Sequence, residues 1–172
     1  IIESFQNNFV NKDTKIENAT INSKIIKKNS IFVGVKGKKF NGNLFAPKSI
    51  RSGANLAISN IKSSNTKIVF QNNPLKKFST ICTNYRKTLD SNNIAITGSA
   101  GKTSVKELLG FCLNKLDKTY FSKNSFNNKF GVPLSLFNTP PKSKYTVLEI
   151  GMDKKGEINN LSSLIKPNLG LI

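Results

Sequence analysis

The stretch that decides the fold is Asn92-Asn93-Ile94-Ala95-Ile96-Thr97-Gly98-Ser99-Ala100-Gly101-Lys102-Thr103-Ser104, an apolar strand running into a glycine loop that opens a helix. Gly98 and Gly101 let the backbone take conformations closed to residues with a Cβ. Successive N–H groups can then converge on an anion at the positive end of the following helix. In such a cradle Lys102 would reach the β and γ phosphates, and the Thr103 hydroxyl would be one ligand of the accompanying Mg²⁺. The longer P-loop form has a glycine five residues before the Gly-Lys pair. Here that place is Ile96, so the fit is to the shorter Gly-x-x-Gly-Lys-Thr form. The bland alternative is a Gly-Ser turn with an incidental Lys-Thr, and both flanks argue against it. From Thr103 onward, Val105, Leu108, Leu109, Cys112, Leu113 and Leu116 fall at helical spacing and predict a helix with one buried stripe.

Composition bounds the rest. A chain of 172 residues with 37% hydrophobic content can build one generous domain or two small ones. No apolar run approaches the roughly 20 residues of a membrane span, and the start Ile1-Ile2-Glu3-Ser4 has no basic segment followed by an apolar one. A cytoplasmic location is the default expectation. Cys82 and Cys112 lie on the apolar faces of separate predicted helices, which predicts buried thiols and neither a disulfide nor a metal site. There is no histidine to act as base or ligand.

The net charge of +18 raises nucleic-acid binding. Arg51 and Arg86 are the only arginines among 27 basic residues, and the lysines are scattered. A dedicated reader of bases clusters arginine or stacking aromatics. The pattern therefore predicts solvated lysines and weak, salt-sensitive binding.

The chain divides into two parts. In the first, residues 31–35, 56–59 and 67–70 read as short buried strands, with a short helix over 44–51 closed by Gly53. Asn73-Pro74 then starts a helix whose stripe is Leu75, Phe78, Ile81, Cys82, Tyr85 and Leu89. The second part alternates strands at 94–97, 119–122, 145–150 and 169–172 with helices at 103–116, about 132–137 and 157–165. That alternation predicts a parallel sheet with crossover helices. Ligands of such sheets collect at the carboxyl ends of the strands, where Glu149 closes Thr146-Val147-Leu148-Glu149-Ile150-Gly151. A carboxylate ending a buried strand needs a cation, either Mg²⁺ beside Thr103 or an ordinary lysine partner. A third cluster, Ser125-Phe126-Asn127-Asn128-Lys129-Phe130-Gly131-Val132-Pro133, reads as a polar substrate loop or simply as a turn.

Residues 97–107, 125–136 and 149–158, with Ser30-Ile31-Phe32-Val33-Gly34-Val35-Lys36-Gly37 and Ser52-Gly53-Ala54 upstream, resemble the Mur ligases of peptidoglycan synthesis over almost the whole chain. The resemblance implies an α/β protein: a small N-terminal UDP-substrate-binding domain over 1–88, then an incomplete P-loop parallel-sheet ATP-binding domain over 89–172. It implies ATP-dependent amide ligation through an acyl phosphate, most like the branch that adds D-alanyl-D-alanine to UDP-N-acetylmuramoyl-tripeptide. Thr97, Gly98, Ser99, Ala100, Gly101, Lys102, Thr103 and Ser104 would hold ATP, Lys102 and Glu149 would be catalytic, and Thr103 and Glu149 would hold Mg²⁺. Ser23, Asn127 and Asn128 would face the muramoyl substrate.

The chain departs from the family where Asn22-Ser23-Lys24 replaces Asp-Ser-Arg and Asn41-Gly42-Asn43 replaces Asp-Gly-His, while Lys129 and Lys154 stand where His is common and Asp153 where Asn is. Relatives continue into a domain that brings in the dipeptide. The chain therefore reads as a fragment inactive by itself, from a protein monomeric at full length. The competing readings are a stand-alone nucleotide- or phosphate-binding module and a basic nucleic-acid-binding protein.

Overall fold

The computed structural model describes residues 14–37, 39–122 and 124–172. The chain divides between Ile81 and Cys82 into two compact units.

The first unit is a four-stranded sheet in the order β1-β2-β3-β4: β1 (Asn18–Thr20), β2 (Ser30–Val33), β3 (Ala54–Ser59) and β4 (Ile68–Phe70). Every pairing is parallel. A 3₁₀ turn over Gly42–Phe45 leads into α1 (Ala46–Arg51), which packs on β3 and on its neighbours β2 and β4. Phe32, Ala46, Ala54, Ala57 and Ile68 form the core there. Strand β1 carries only Asn-Ala-Thr, too short and too polar to register as apolar alternation. The Asn41-Gly42-Asn43 triplet locks itself: Asn41 Oδ1 accepts from Asn43 N at 3.2 Å and Asn43 Nδ2 at 2.9 Å, and Asn43 Oδ1 accepts from Asn60 N at 2.9 Å.

Helix α2 (Pro74–Thr88) runs across the division. Asn73 Oδ1 caps it by accepting from Lys76 N at 2.9 Å, and Pro74 at its first position needs no donor. Phe78, Ile81, Cys82, Tyr85 and Leu89 are buried as the stripe requires.

The second unit contains β5 (Asn92–Ile96), α3 (Lys102–Leu116), β6 (Thr119–Phe121), α4 (Gly131–Phe137), β7 (Tyr145–Glu149), α5 (Glu157–Ile165) and β8 (Leu169–Leu171). The sheet order is β6-β7-β5-β8, all parallel. From β5 the chain steps past β7 to β6, then reverses through β7 and over β5 to β8. Right-handed crossovers thus place α3 on one face and α4 with α5 on the other. With both faces covered, β5 and β7 are buried over most of their length, and their centres, Ile94-Ala95-Ile96 and Val147-Leu148, are unbroken apolar runs. Ile94, Ile96 and Val147 form the core beneath α3, with Leu109, Leu113 and Phe121 packed against them.

One expectation fails on α3. Lys106 and Gly110 are buried, whereas Val105, Leu108, Phe111, Cys112 and Leu116 are exposed, with Leu108 at 66% and Leu116 at 76%. The helix is rotated so that Gly110 meets β6, where a Cβ would come within 2.5 Å of the Phe121 ring. Cys112 is therefore an exposed thiol, while Cys82 is buried and donates to Pro133 O at 3.3 Å. No described helix is long and apolar enough to cross a membrane.

Candidate functional site

The site lies at the carboxyl ends of β5 and β7, neighbours at the point where the strand order reverses. The parallel register sets Ile96 beside Glu149, and Ile150 N donates to Ile96 O at 2.8 Å. The glycine loop and the carboxylate are thus brought together by strand pairing alone.

Beyond Ile96, half-buried Thr97 still donates its N–H to Leu171 O at 2.9 Å. Gly98 then takes φ of +140° and Gly101 φ of +76°, the second as the residue before α3. A Cβ on Gly101 would meet nothing within 4 Å, so the constraint there is backbone conformation beside open space. Ser99, Ala100 and Ser104 are exposed around the same mouth. Lys102, first residue of α3, folds over the loop: its Nζ donates to Gly98 O at 2.6 Å and Ser99 O at 3.3 Å. The loop is thereby lidded by an ammonium at the positive end of a helix.

Glu149 is 1% exposed. Thr103 Oγ1 donates to its Oε2 at 2.8 Å, and Asn127 Nδ2 donates to its Oε1 at 2.8 Å. No described Lys or Arg forms an ion pair with it. Both donors are neutral, so a carboxylate enclosed in this way retains an unmet demand for positive charge. No described cluster of three or more His, Cys, Asp or Glu is placed to hold a metal. The residues here that could hold Mg²⁺ are the Glu149 carboxylate and the Thr103 hydroxyl, with phosphate oxygens completing the set.

The Asn-rich loop is part of the same site. Besides its amide bond to Glu149, Asn127 accepts from Gly151 N at 2.6 Å through its backbone carbonyl. Ser125 Oγ lies 3.3 Å from Thr103 Oγ1, a neighbour the motif reading did not single out. Asn128 behaves differently: its Oδ1 accepts from Phe130 N and Gly131 N, both at 3.0 Å, and so caps the start of α4. Ser23 belongs to the first unit, half-buried in the turn after β1 where Asn22 Oδ1 accepts from Lys24 N at 2.9 Å. Lys106 was also missed. It sits on the Thr103 side of α3 and its only sequence signal is a lysine within the stripe of Leu109 and Leu113.

Residues 96–172, from the end of β5 through Glu149, match the Mur ligase middle domain. Over 154 residues the chain is 32% identical to UDP-N-acetylmuramoyl-tripeptide–D-alanyl-D-alanine ligase of Rickettsia prowazekii, which takes in 88% of this chain and 34% of that protein. The Escherichia coli ligase of the same name is 29% identical over 161 residues, 93% of this chain and 36% of its own length. Among solved structures, MurF ligase from Thermotoga maritima in complex with ADP superposes with a TM-score of 0.78 at 28% identity, covering 91% of this chain and 37% of that one. MurF from Acinetobacter baumannii gives 0.80 at 26% identity over 90% and 35%. The chain thus spans about a third of the length of these relatives. With the phosphate-type loop, the Asn-rich loop and Glu149 inside the matched segment, the chain belongs to the Mur ligase family.

Proposed function

We propose that this chain carries the nucleotide site and the first substrate domain of an ATP-dependent carbon–nitrogen ligase that joins D-alanyl-D-alanine to UDP-N-acetylmuramoyl-tripeptide. The observation that carries the reading is Glu149, buried with no ion-pair partner among the described residues and bonded to the hydroxyl at the start of the loop helix. The names of the similar proteins, and the ADP in one of them, point to the same chemistry.

In this reading residues 1–88 bind the UDP end of the substrate, through Ser23 among others, and residues 89–172 bind ATP. The amides of Gly98 to Gly101 receive phosphate oxygens, helped by Thr97, Ser99, Ala100 and Ser104. Lys102 leaves the loop carbonyls it now holds and turns to the β and γ phosphates. The exchange is between two neutral carbonyl oxygens, at 2.6 and 3.3 Å, and a more highly charged set. Thr103 and Glu149 would hold Mg²⁺, which neutralises charge on the transferring phosphoryl group. Asn127 keeps the Glu149 carboxylate oriented through its side-chain amide, and in this reading it is the member of the Asn pair that faces the muramoyl substrate. Asn128 acts by holding α4 and hence the loop. Phosphorylation of the tripeptide carboxylate gives an acyl phosphate. The dipeptide amine attacks it, forming the amide and releasing phosphate. The reaction uses cytoplasmic ATP, and the enzyme works as a monomer.

The test is phosphate release by the intact protein with ATP, Mg²⁺, UDP-N-acetylmuramoyl-tripeptide and D-alanyl-D-alanine. Release that needs both acceptor and dipeptide is expected. Release indifferent to the dipeptide would overturn the ligase reading and leave a nucleotide-binding module.

A further inference from the structure

Lys106 is completely buried in the second turn of α3, and no step of the proposed ligation uses it. Its Nζ donates to the backbone carbonyl of Asn124 at 2.7 Å and lies 3.0 Å from Glu107 Oε1, on a side chain that is half exposed. Enclosing an ammonium carries a heavy desolvation penalty, and leucine here would extend the stripe of Leu109 and Leu113 without it. The ammonium is held by the Asn124 carbonyl and by the Glu107 carboxylate, and Asn124 itself sits in a left-handed turn with φ of +55°, a conformation asparagine takes more readily than other residues that carry a side chain.

The residues just after Asn124 belong to the site. Ser125 Oγ is 3.3 Å from Thr103 Oγ1, and Asn127 bonds Glu149 through its side chain and Gly151 through its carbonyl. The loop is therefore tied at its far end by Asn127 to β7 and at its near end by Lys106 to α3. Thr103 and Lys106 are three residues apart, one turn of the same helix face. A tie at Lys106 makes the loop and the first turn of α3 move together.

We propose that Lys106 is a positioning residue: its bond to Asn124 O sets the Asn-rich loop against Thr103 and Glu149, so that Asn127 keeps the carboxylate aimed at the cation. The proposal rests on the reading of Thr103 and Glu149 as the cation site.

Lys106→Met keeps the length and apolar stem and removes the charge and the donor. In the intact protein, without ligands, amide hydrogen exchange at 124–127 is expected to quicken at least tenfold while that of β5 and β7 is unchanged. The Mg²⁺ concentration giving half-maximal ATP turnover should rise three- to tenfold, with a smaller change in kcat. Asn127→Ala should raise it similarly, and the double variant no further than either alone, because both act through one loop. Unchanged exchange overturns the tie whatever reaction the protein performs. Faster exchange with an unaltered Mg²⁺ titration, or additive effects in the double variant, overturns the positioning role. If nucleotide binding proves independent of Mg²⁺, the cation reading fails by itself, while the exchange data still decide the tie. Should Lys106→Met fail to fold, exchange in the wild type carries the test: protection at Asn127 comparable with the second turn of α3, where the amides are hydrogen-bonded, supports the proposal, and loop-like exchange overturns it.

Discussion

In Glu149→Gln the side chain keeps its shape and loses its charge. The carboxylate is 1% exposed and accepts two hydrogen bonds of 2.8 Å, from Thr103 and Asn127. Bonds to a charged acceptor contribute about 1.5–3 kcal/mol each and neutral ones about 0.5–1.5 kcal/mol. Glutamine can accept from Asn127 with its oxygen and donate to Thr103 Oγ1 with its nitrogen, so both contacts persist and the loss is about 1–3 kcal/mol in all. Against that loss, removing an enclosed carboxylate that has no ion-pair partner among the described residues recovers several kcal/mol of desolvation. Without ligand the variant should be at least as stable as the parent. A gain of about 1 kcal/mol would raise Tm by about 4–8 °C in a unit of this size. The site should respond in the opposite sense. Unit charges 4 Å apart attract by about 4 kcal/mol at an effective dielectric constant of 20, and the ion is divalent. If about a third of that attraction survives dehydration, the half-saturating Mg²⁺ concentration rises about 100-fold. The assay is a melt in chelator beside a Mg²⁺ titration of ATP turnover in the intact protein. A clear fall in Tm with an unmoved Mg²⁺ titration would make Glu149 a scaffold residue and refute the argument.

Lys102→Ala should cut ATP turnover at least 100-fold, as losses of charge-stabilising groups do, while far-ultraviolet circular dichroism stays unchanged; near-normal turnover removes Lys102 from the chemistry. Cys112, exposed on α3, should react with a thiol reagent within seconds, whereas the Cys82 thiol, whose pKa burial pushes well up, should react only on unfolding. Equal labelling rates in the native state would contradict the observed phase of α3. Residues 1–172 alone should show Mg²⁺-dependent nucleotide binding without dipeptide-dependent turnover, since ligation needs carboxylate, γ-phosphate and amine aligned in one site and the relatives are about three times as long; dipeptide-dependent phosphate release by this chain would refute that division of labour. DNA or RNA binding should weaken steeply from low to physiological salt and show no sequence preference. A tightly held specific oligonucleotide at physiological salt would show the positive charge to be a recognition surface.

The order of strands and helices from β2 onward was legible because most of the β-segments carry a short apolar run bounded by turn residues. The parallel sheet followed from their alternation with helices. Glu149 was legible as an acid ending such a run, and strand register set it beside the glycine loop. Asn127 and Asn128 were indistinguishable in sequence, because which amide turns toward the carboxylate and which caps α4 depends on the path of a loop. Strand β1 was illegible for lack of apolar residues, since its place is set by pairing with β2.

The phase of α3 shows why periodicity alone stops short. Val105, Leu108, Leu109, Cys112, Leu113 and Leu116 occupy so wide an arc that helical spacing cannot say which edge of it meets the sheet. Two residues that hydrophobicity ignores decide the matter. Thr103 must face Glu149, to which it donates at 2.8 Å, and Gly110 must face Phe121, where no side chain fits. Residues three to four apart share a face, so placing 103 and 110 inward carries 106 inward with them and turns 105, 108 and 112 out. Lys106 is thus buried as a consequence of the site's geometry, against its own hydrophobicity, and the carbonyl of Asn124 together with the Glu107 carboxylate makes that burial tolerable. A helix that begins at a phosphate-type loop is therefore best phased from its first-turn hydroxyl, with the apolar residues fitted afterwards.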